Sequence, residues 1–273
     1  MNKETEKILN ELQGKGVRTS DILKVIVKNN IKEFYELQRW DEEDFNHYDK
    51  LMKQLIDVSI DENAKTTDKG KALEDLVSFI IKKTYFFEIY RNITTSTNEI
   101  DQIIRLSNRG KQALKNLELS REILEIEEDL FLSECKNYKS NLGVSWVGKF
   151  YGLLKTCDCK FGIIFSVNGL TGAEKEWKDA YGLIKVFRLI EKYQYNNDFY
   201  IIEFNMDDFK KIREANDPKN FKEDKVKLCF TDIIKFKKEA VRIGTNYEQL
   251  LSQYKEDIEE EVVQEVKRLK NGS

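Results

Sequence analysis

Apolar residues recur at threes and fours through "TSDILKVIVKNNIKEFYEL" (19–37) and "DEEDFNHYDKLMKQLIDVSI" (41–60). That period predicts two helices, with Thr19 and Ser20 as capping-type residues before the first and Asp41 before the second. "NAKTTDKG" is polar and aperiodic and marks a boundary. "TDKGKALEDLVSFIIKK" (67–83) resumes the helical period, with Leu73, Leu76, Val77 and Ile80 as its buried stripe and Glu74 at the stripe's edge.

The pattern then shortens. "YFFEIYRNI", "NEIDQIIRLS" and "DLFLSECKN" are short, aromatic and β-branched, and read as strands. A charged segment of helical character, 107–128, separates the last two. "SWVGKFYGLLKT" predicts a helix capped by Ser145, "KFGIIFSVNG" a strand apolar on both faces, "AEKEWKDAYGLIKVFRLIEKYQ" a long helix and "DFYIIEFN" a last core strand. Near the end, Leu251, Tyr254, Ile258, Val262 and Leu269 form a helical stripe. It spans few heptads, so it reads as a docking face before a coiled-coil seam.

This order predicts an α/β fold: three strands in an antiparallel meander, then strands joined through helices and therefore parallel, in a mixed sheet with helices on both faces. Three regions are expected: a helical N-terminal region (1–66), a core (67–230) and a helical C-terminal extension (231–273).

Composition narrows the function. The chain has 273 residues, 40% apolar and 35% charged, with one proline and a net charge of −3. This suits a soluble globular protein rich in helices, and no apolar stretch is long enough to cross a bilayer. "MNKETEKILN" has no hydrophobic signal segment, so a cytoplasmic location is expected. The charge is not that of a generally basic nucleic-acid binder, so any such surface must be local. Four cysteines include Cys157-x-Cys159, which lacks the spacing of a zinc site, and free thiols are expected. His47 is the only histidine, which disfavours histidine-based catalysis. Chemistry must fall to carboxylates and lysines.

Among several Glu-x-Lys pairs, Glu134-x-Lys136 alone ends a strand. The others, at Glu176, Glu223 and Glu265, lie in predicted helices or a polar loop. Period two puts Leu130, Leu132, Glu134 and Lys136 on one face, neighbours roughly 7 Å apart, so a carboxylate and an ammonium reach one phosphate or water. Asp101 is a second acid inside an apolar strand. Taken singly, each has a plain structural reading: a turn acid, a cross-strand ion pair, a helix-surface glutamate.

In order, Glu74 in "KALEDLV", Asp101 in "NEIDQII" and Glu134 with Lys136 in "FLSECKN" resemble the PD-(D/E)XK nuclease superfamily, the restriction-endonuclease-like fold. Residues 143–184, through "GVSWVGKFYGLLK" and "KFGIIFSVNG", are similar to its Mrr-like branch. The resemblance spans roughly residues 68–210. It implies a metal-dependent endonuclease that cuts DNA, in restriction or defence. Mg²⁺ (or Mn²⁺) would be held by Asp101, Glu134 and the main-chain carbonyl of Cys135. Lys136, with a pKa lowered beside a dication, would serve the attacking water. Glu74 would complete the ligand set or hold a metal-bound water. Lys139, Asn141, Ser145 and Lys149, around a predicted helix start, are candidate contacts to DNA, and Tyr138 and Trp146 stack or pack, with core packing favoured for Trp146. Relatives in this family often act as dimers, for which the C-terminal stripe is available, and the N-terminal helices would recognise DNA or a protein partner. The competing expectations are a non-catalytic or repair-type nucleic-acid-binding relative and a helical interaction scaffold.

Overall fold

The computed structural model describes residues 19–94, 99–172, 177–216 and 229–244. The C-terminal stripe from Leu251 to Leu269 and the Glu-x-Lys pairs at Glu176, Glu223 and Glu265 lie outside them. In chain order the elements are α1 (Thr19–Glu36), α2 (Glu42–Ile60), α3 (Thr66–Lys83), β1 (Phe87–Thr94), β2 (Glu99–Leu106), α4 (Asn108–Asn116), a 3₁₀ turn (Arg121–Leu124), β3 (Leu130–Lys136), α5 (Val144–Thr156), β4 (Phe161–Ser166), α6 (Asp179–Gln194), β5 (Tyr200–Phe204), α7 (Met206–Asn216) and α8 (Phe230–Gly244).

The five strands lie side by side in chain order. β1, β2 and β3 are antiparallel, and β3, β4 and β5 are parallel. The fold is therefore α/β, a mixed five-stranded sheet flanked by helices. The meander is antiparallel because its connections are short or return at the same end. The parallel steps each need a helix, α5 and then α6, to carry the chain back.

Period two divides each strand between two cores. Phe131 and Cys135 of β3, with Ile104, Phe161, Ile163, Phe165, Ile202 and Phe204, meet the apolar stripe of α3 on one face. Leu132, Ile164 and Ile201 meet Val147, Phe150 and Leu154 of α5 and Ile184 of α6 on the other. β4 is buried at all six positions, as its composition predicts. Gly162 of β4 permits the close approach of α5, because a Cβ there would stand 2.7 Å from a Phe150 ring carbon. α5 is thereby seated on the sheet and fixes where its first turn lies.

Asp41 caps α2 as predicted, in a reciprocal capping box: its side chain accepts from the Asp44 N–H at 2.8 Å, and Asp44 accepts from the Asp41 N–H. Two other predicted starts shift. The residue before the first turn of α5 is Gly143, with Ser145 exposed inside that turn, so the Ser145 cap does not form. α6 begins at Asp179, later than its apolar pattern suggested.

The N-terminal helices share the main core with the sheet. Phe34, Trp40, Tyr48 and Leu55 are buried in it. The Tyr48 hydroxyl donates to the Phe209 carbonyl at 2.7 Å, 161 residues away, and Arg213 forms a two-bond pair with Asp49. The expected division at residue 66 thus runs between elements that pack as one body. Tyr48→Phe should destabilise the protein by about 1 kcal/mol, since it removes a buried hydrogen bond between distant elements. Urea unfolding followed by tryptophan fluorescence and by far-UV circular dichroism should give one coincident transition, and two separate transitions would restore an independent N-terminal module.

Candidate active site

The ladder between β2 and β3 ends at Gln102 and Ser133, yet β3 runs on to Lys136. The strands part just where Asp101 and Glu134 stand, one residue beyond that last pair. The Cys135 N–H, left without a backbone acceptor from β2, donates to Asp101 Oδ2 at 2.9 Å. A side chain substitutes for the missing rung.

Lys136 closes the group. Its Nζ lies 3.0 Å from Asp101 Oδ2 and 2.7 Å from Glu134 Oε1. All three side chains are largely buried, at 16–18% exposure. The structure thus brings Asp101, Glu134 and Lys136 together, with two carboxylates sharing one ammonium.

The electrostatics follow from that count. Burial raises the Glu134 pKa, and the Asp101 charge beside it adds to the rise, which Lys136 only partly offsets. Burial alone would lower the Lys136 pKa, but Glu134 and Asp101 outweigh it, and the ammonium is held above the ordinary lysine range. The lowered lysine value expected beside a dication is not what the protein groups alone produce. Both values are raised, with opposite meaning: the pair favours the charged lysine, while the charged glutamate is disfavoured despite it. Burial leads that penalty and the Asp101 charge adds to it, because one cation cannot offset two buried carboxylates.

Glu74 is not part of this group. It sits on α3, across the sheet from α5, where Arg91 of β1 holds Glu74 Oε2 at 2.8 Å and Asp75 Oδ1 at 2.6 Å. Sequence reasoning missed Arg91. Its signal was an arginine in an aromatic strand directly after a helix carrying "LEDL". Among the described residues, no three or more His, Cys, Asp or Glu side chains gather closely enough to hold a metal ion. Among the described residues, Asp101 and Glu134 thus stand as a pair with no third such side chain close by.

Cys135 points into the α3 core at 4% exposure. Burial pushes its thiol well above the usual range, and the carboxylates of Asp101 and Glu74 push it further, so its sulfur is a poor nucleophile or ligand.

The expected substrate contacts divide. Lys149 and Ser145 are exposed on the first turns of α5, and Lys149 Nζ lies 4.8 Å from the Trp146 ring centroid. The start of α5 has no side-chain cap bond. Lys139 is exposed and pairs with Glu62 at 3.1 Å. Asn141 is occupied within the protein. Its amide donates to the carbonyls of Asn168 at 2.6 Å and Leu170 at 3.1 Å, tying the loop after β3 to the loop after β4. The helical segment 107–128 joins the opposite ends of β2 and β3, roughly 15 Å along the strands from Asp101 and Glu134, so it does not cover the site.

A second buried acid was also missed. Glu203 of β5 lies in register with Glu134 through Ile164. It accepts from the Tyr181 hydroxyl at 3.1 Å and pairs with Lys237 at 3.4 Å, which also holds Asp208 at 2.8 Å. Two strand spacings, roughly 9.6 Å, separate it from Glu134, so it forms a network of its own. No family model, curated protein or solved structure matches the chain.

Lys136→Met keeps the stem and removes the charge. A carboxyl with a raised folded-state pKa contributes stability that is complete below its unfolded value and lost as pH rises through the folded one. Removing Lys136 takes away the main influence that lowers Glu134. The variant should lose about 2 kcal/mol at pH 7 and recover part of that as pH falls through the Glu134 value. Urea unfolding at pH 5 and pH 7 checks this; an equal deficit at both would show that Glu134 is not held above its ordinary value.

Proposed function

We propose that the chain is a divalent-metal-dependent phosphodiesterase of the restriction-endonuclease-like type, acting on DNA as an endonuclease. A part in restriction or defence is the role that the sequence resemblance implies. The observation that carries this reading is the meeting of Asp101, Glu134 and Lys136 where β2 and β3 part.

The donor set fits a hard cation. Two largely buried carboxylates repel each other, and Mg²⁺ or Mn²⁺ prefers oxygen ligands while keeping several waters, so two carboxylates and the Cys135 carbonyl suffice. Asp101 and Glu134 would hold the ion. When bound, it supplies a more acidic water and offsets negative charge on the phosphate.

The chain's own groups do the rest. Lys136, released from its two carboxylates, turns its ammonium to the phosphate oxygen or to the attacking water, where it stabilises developing charge. Its ammonium lies 5.2 Å from the Trp146 ring centroid, a cation over an aromatic face. Lys149, Ser145 and the N-terminus of α5, which has no side-chain cap bond, would take a flanking phosphate. Cys135 contributes main chain only.

One observation favours a binding-only relative: Glu74 is tied to Arg91, which leaves two acids where three were expected. Cleavage of plasmid and linear DNA with Mg²⁺ or Mn²⁺ separates the readings. Asp101→Asn, Glu134→Gln and Lys136→Met should each lower the rate at least about 100-fold, while Cys135→Ala should stay near wild type. Equal cutting by Asp101→Asn and Lys136→Met would place the chemistry elsewhere. No cutting over a broad panel, with no cation bound in calorimetry, would leave the binding-only reading.

A further inference from the structure

Tyr138 and Trp146 stand beside Lys136 where β3 leaves the sheet. Their ring centroids are 5.4 Å apart, with planes tilted by 33°. Tyr138 is 38% exposed, while Trp146 is partly packed against the α5–α6 core. The ammonium groups of Lys136 and Lys149 lie 5.2 and 4.8 Å from the Trp146 ring centroid. One open aromatic face thus adjoins a half-buried ring with two cations over it.

The loop that carries Tyr138 is fastened on both sides. Before it, the Asn137 amide donates to Ser59 Oγ and to the Lys69 carbonyl, both at 3.0 Å. At Tyr138 itself, the carbonyl accepts from the Asn168 amide at 2.6 Å, and beyond it the Leu142 N–H donates to the Gly169 carbonyl at 2.8 Å. Here the main chain under the ring is fixed, so little backbone ordering entropy remains to be lost on binding.

A flat apolar face beside ammonium groups matches a nucleotide, with the base on the ring and the phosphate at the cations. In a continuous duplex each base has both faces covered by its neighbours. Away from a duplex end, only an unpaired base offers a face to Tyr138. The arginines argue the same way. Each arginine among the described residues is bound to a carboxylate or a backbone carbonyl. None stands at this site to read guanine in a major groove.

We infer that Tyr138, backed by Trp146, is a stacking platform for an unpaired base, so that the strand entering the site is single-stranded or locally opened. The inference rests on the phosphodiesterase reading for the position of the phosphate. The stacking itself is measured by binding.

The probes are a 12-nucleotide oligo-dT strand and a DNA hairpin of similar length whose loop and open end are both closed by non-nucleotide linkers, titrated with Ca²⁺ in place of Mg²⁺. Tryptophan fluorescence is the readout, with Trp146→Phe assigning the signal. The single strand should quench Trp146 and bind more tightly than the hairpin. Tyr138→Ala should weaken single-strand binding about tenfold, Tyr138→Phe should restore it, and hairpin binding should not change. Equal binding of the strand by Tyr138→Ala and wild type, or hairpin binding as tight as strand binding, overturns the inference. Metal-dependent cutting of duplex and single strand alike in all variants also overturns it and leaves the phosphodiesterase reading standing. The expected binding pattern without any cutting supports the platform and removes the phosphodiesterase.

Discussion

A single ammonium between two buried carboxylates governs the end of the sheet where β2 and β3 separate. The ladder stops at Gln102 and Ser133, and the next N–H of β3 that needs a partner finds it in the side chain of Asp101. Without that bond the splayed end would leave a main-chain donor unsatisfied in a poorly hydrated place, at a cost of roughly 1–3 kcal/mol. With it, Asp101 is drawn to within reach of Lys136, and Lys136 to Glu134. The gap between the strands and the cluster of charges are two aspects of one arrangement.

The alternation of β3 decides what that arrangement faces. Cys135 enters the α3 core, so Glu134 and Lys136 must emerge on the α5 side, under Trp146. Gly162 lets α5 settle close enough for its first turn to border the charges. Arg91 keeps the acids of α3 on their own side of the sheet. The helical segment after β2 is at the far end of the strands. The charged end is therefore bordered by α5 and by two loops fastened to each other through Asn141, Tyr138 and Asn168.

What could be read in advance follows the range of the interactions involved. Strand and helix periods, the Asp41 capping box and the change from antiparallel to parallel pairing are set within a few residues or by connection length. The Asp101–Glu134–Lys136 group was legible because period two fixes the faces of β3 and because an acid inside an apolar strand needs a partner. Pairings between distant elements were not. Arg91 with Glu74 depends on where α3 crosses β1, and Asn141 with Asn168 depends on how two loops meet. Glu203 offered the same signal as Asp101, an acid in an apolar strand, but its partner Lys237 lies 34 residues on, in a helix that its own sequence does not place. The start of α5 turned on whether Gly143 or Ser145 ends the extended chain, a matter of one backbone angle.

The charge of the site bears on how it could accept a phosphate. Asp101, Glu134 and Lys136 sum to one negative charge in a half-buried cluster where burial already raises the Glu134 pKa. A phosphodiester brought there alone meets repulsion, and Lys136 cannot serve it while it is held by both carboxylates. On the proposed reading a divalent ion resolves both difficulties together, since it takes over the carboxylates and frees the ammonium. Affinity for the cation and for the phosphate would then be linked through one lysine, each raising the other by the same factor. A purely structural ion pair carries no such linkage, because nothing is gained there by releasing the lysine.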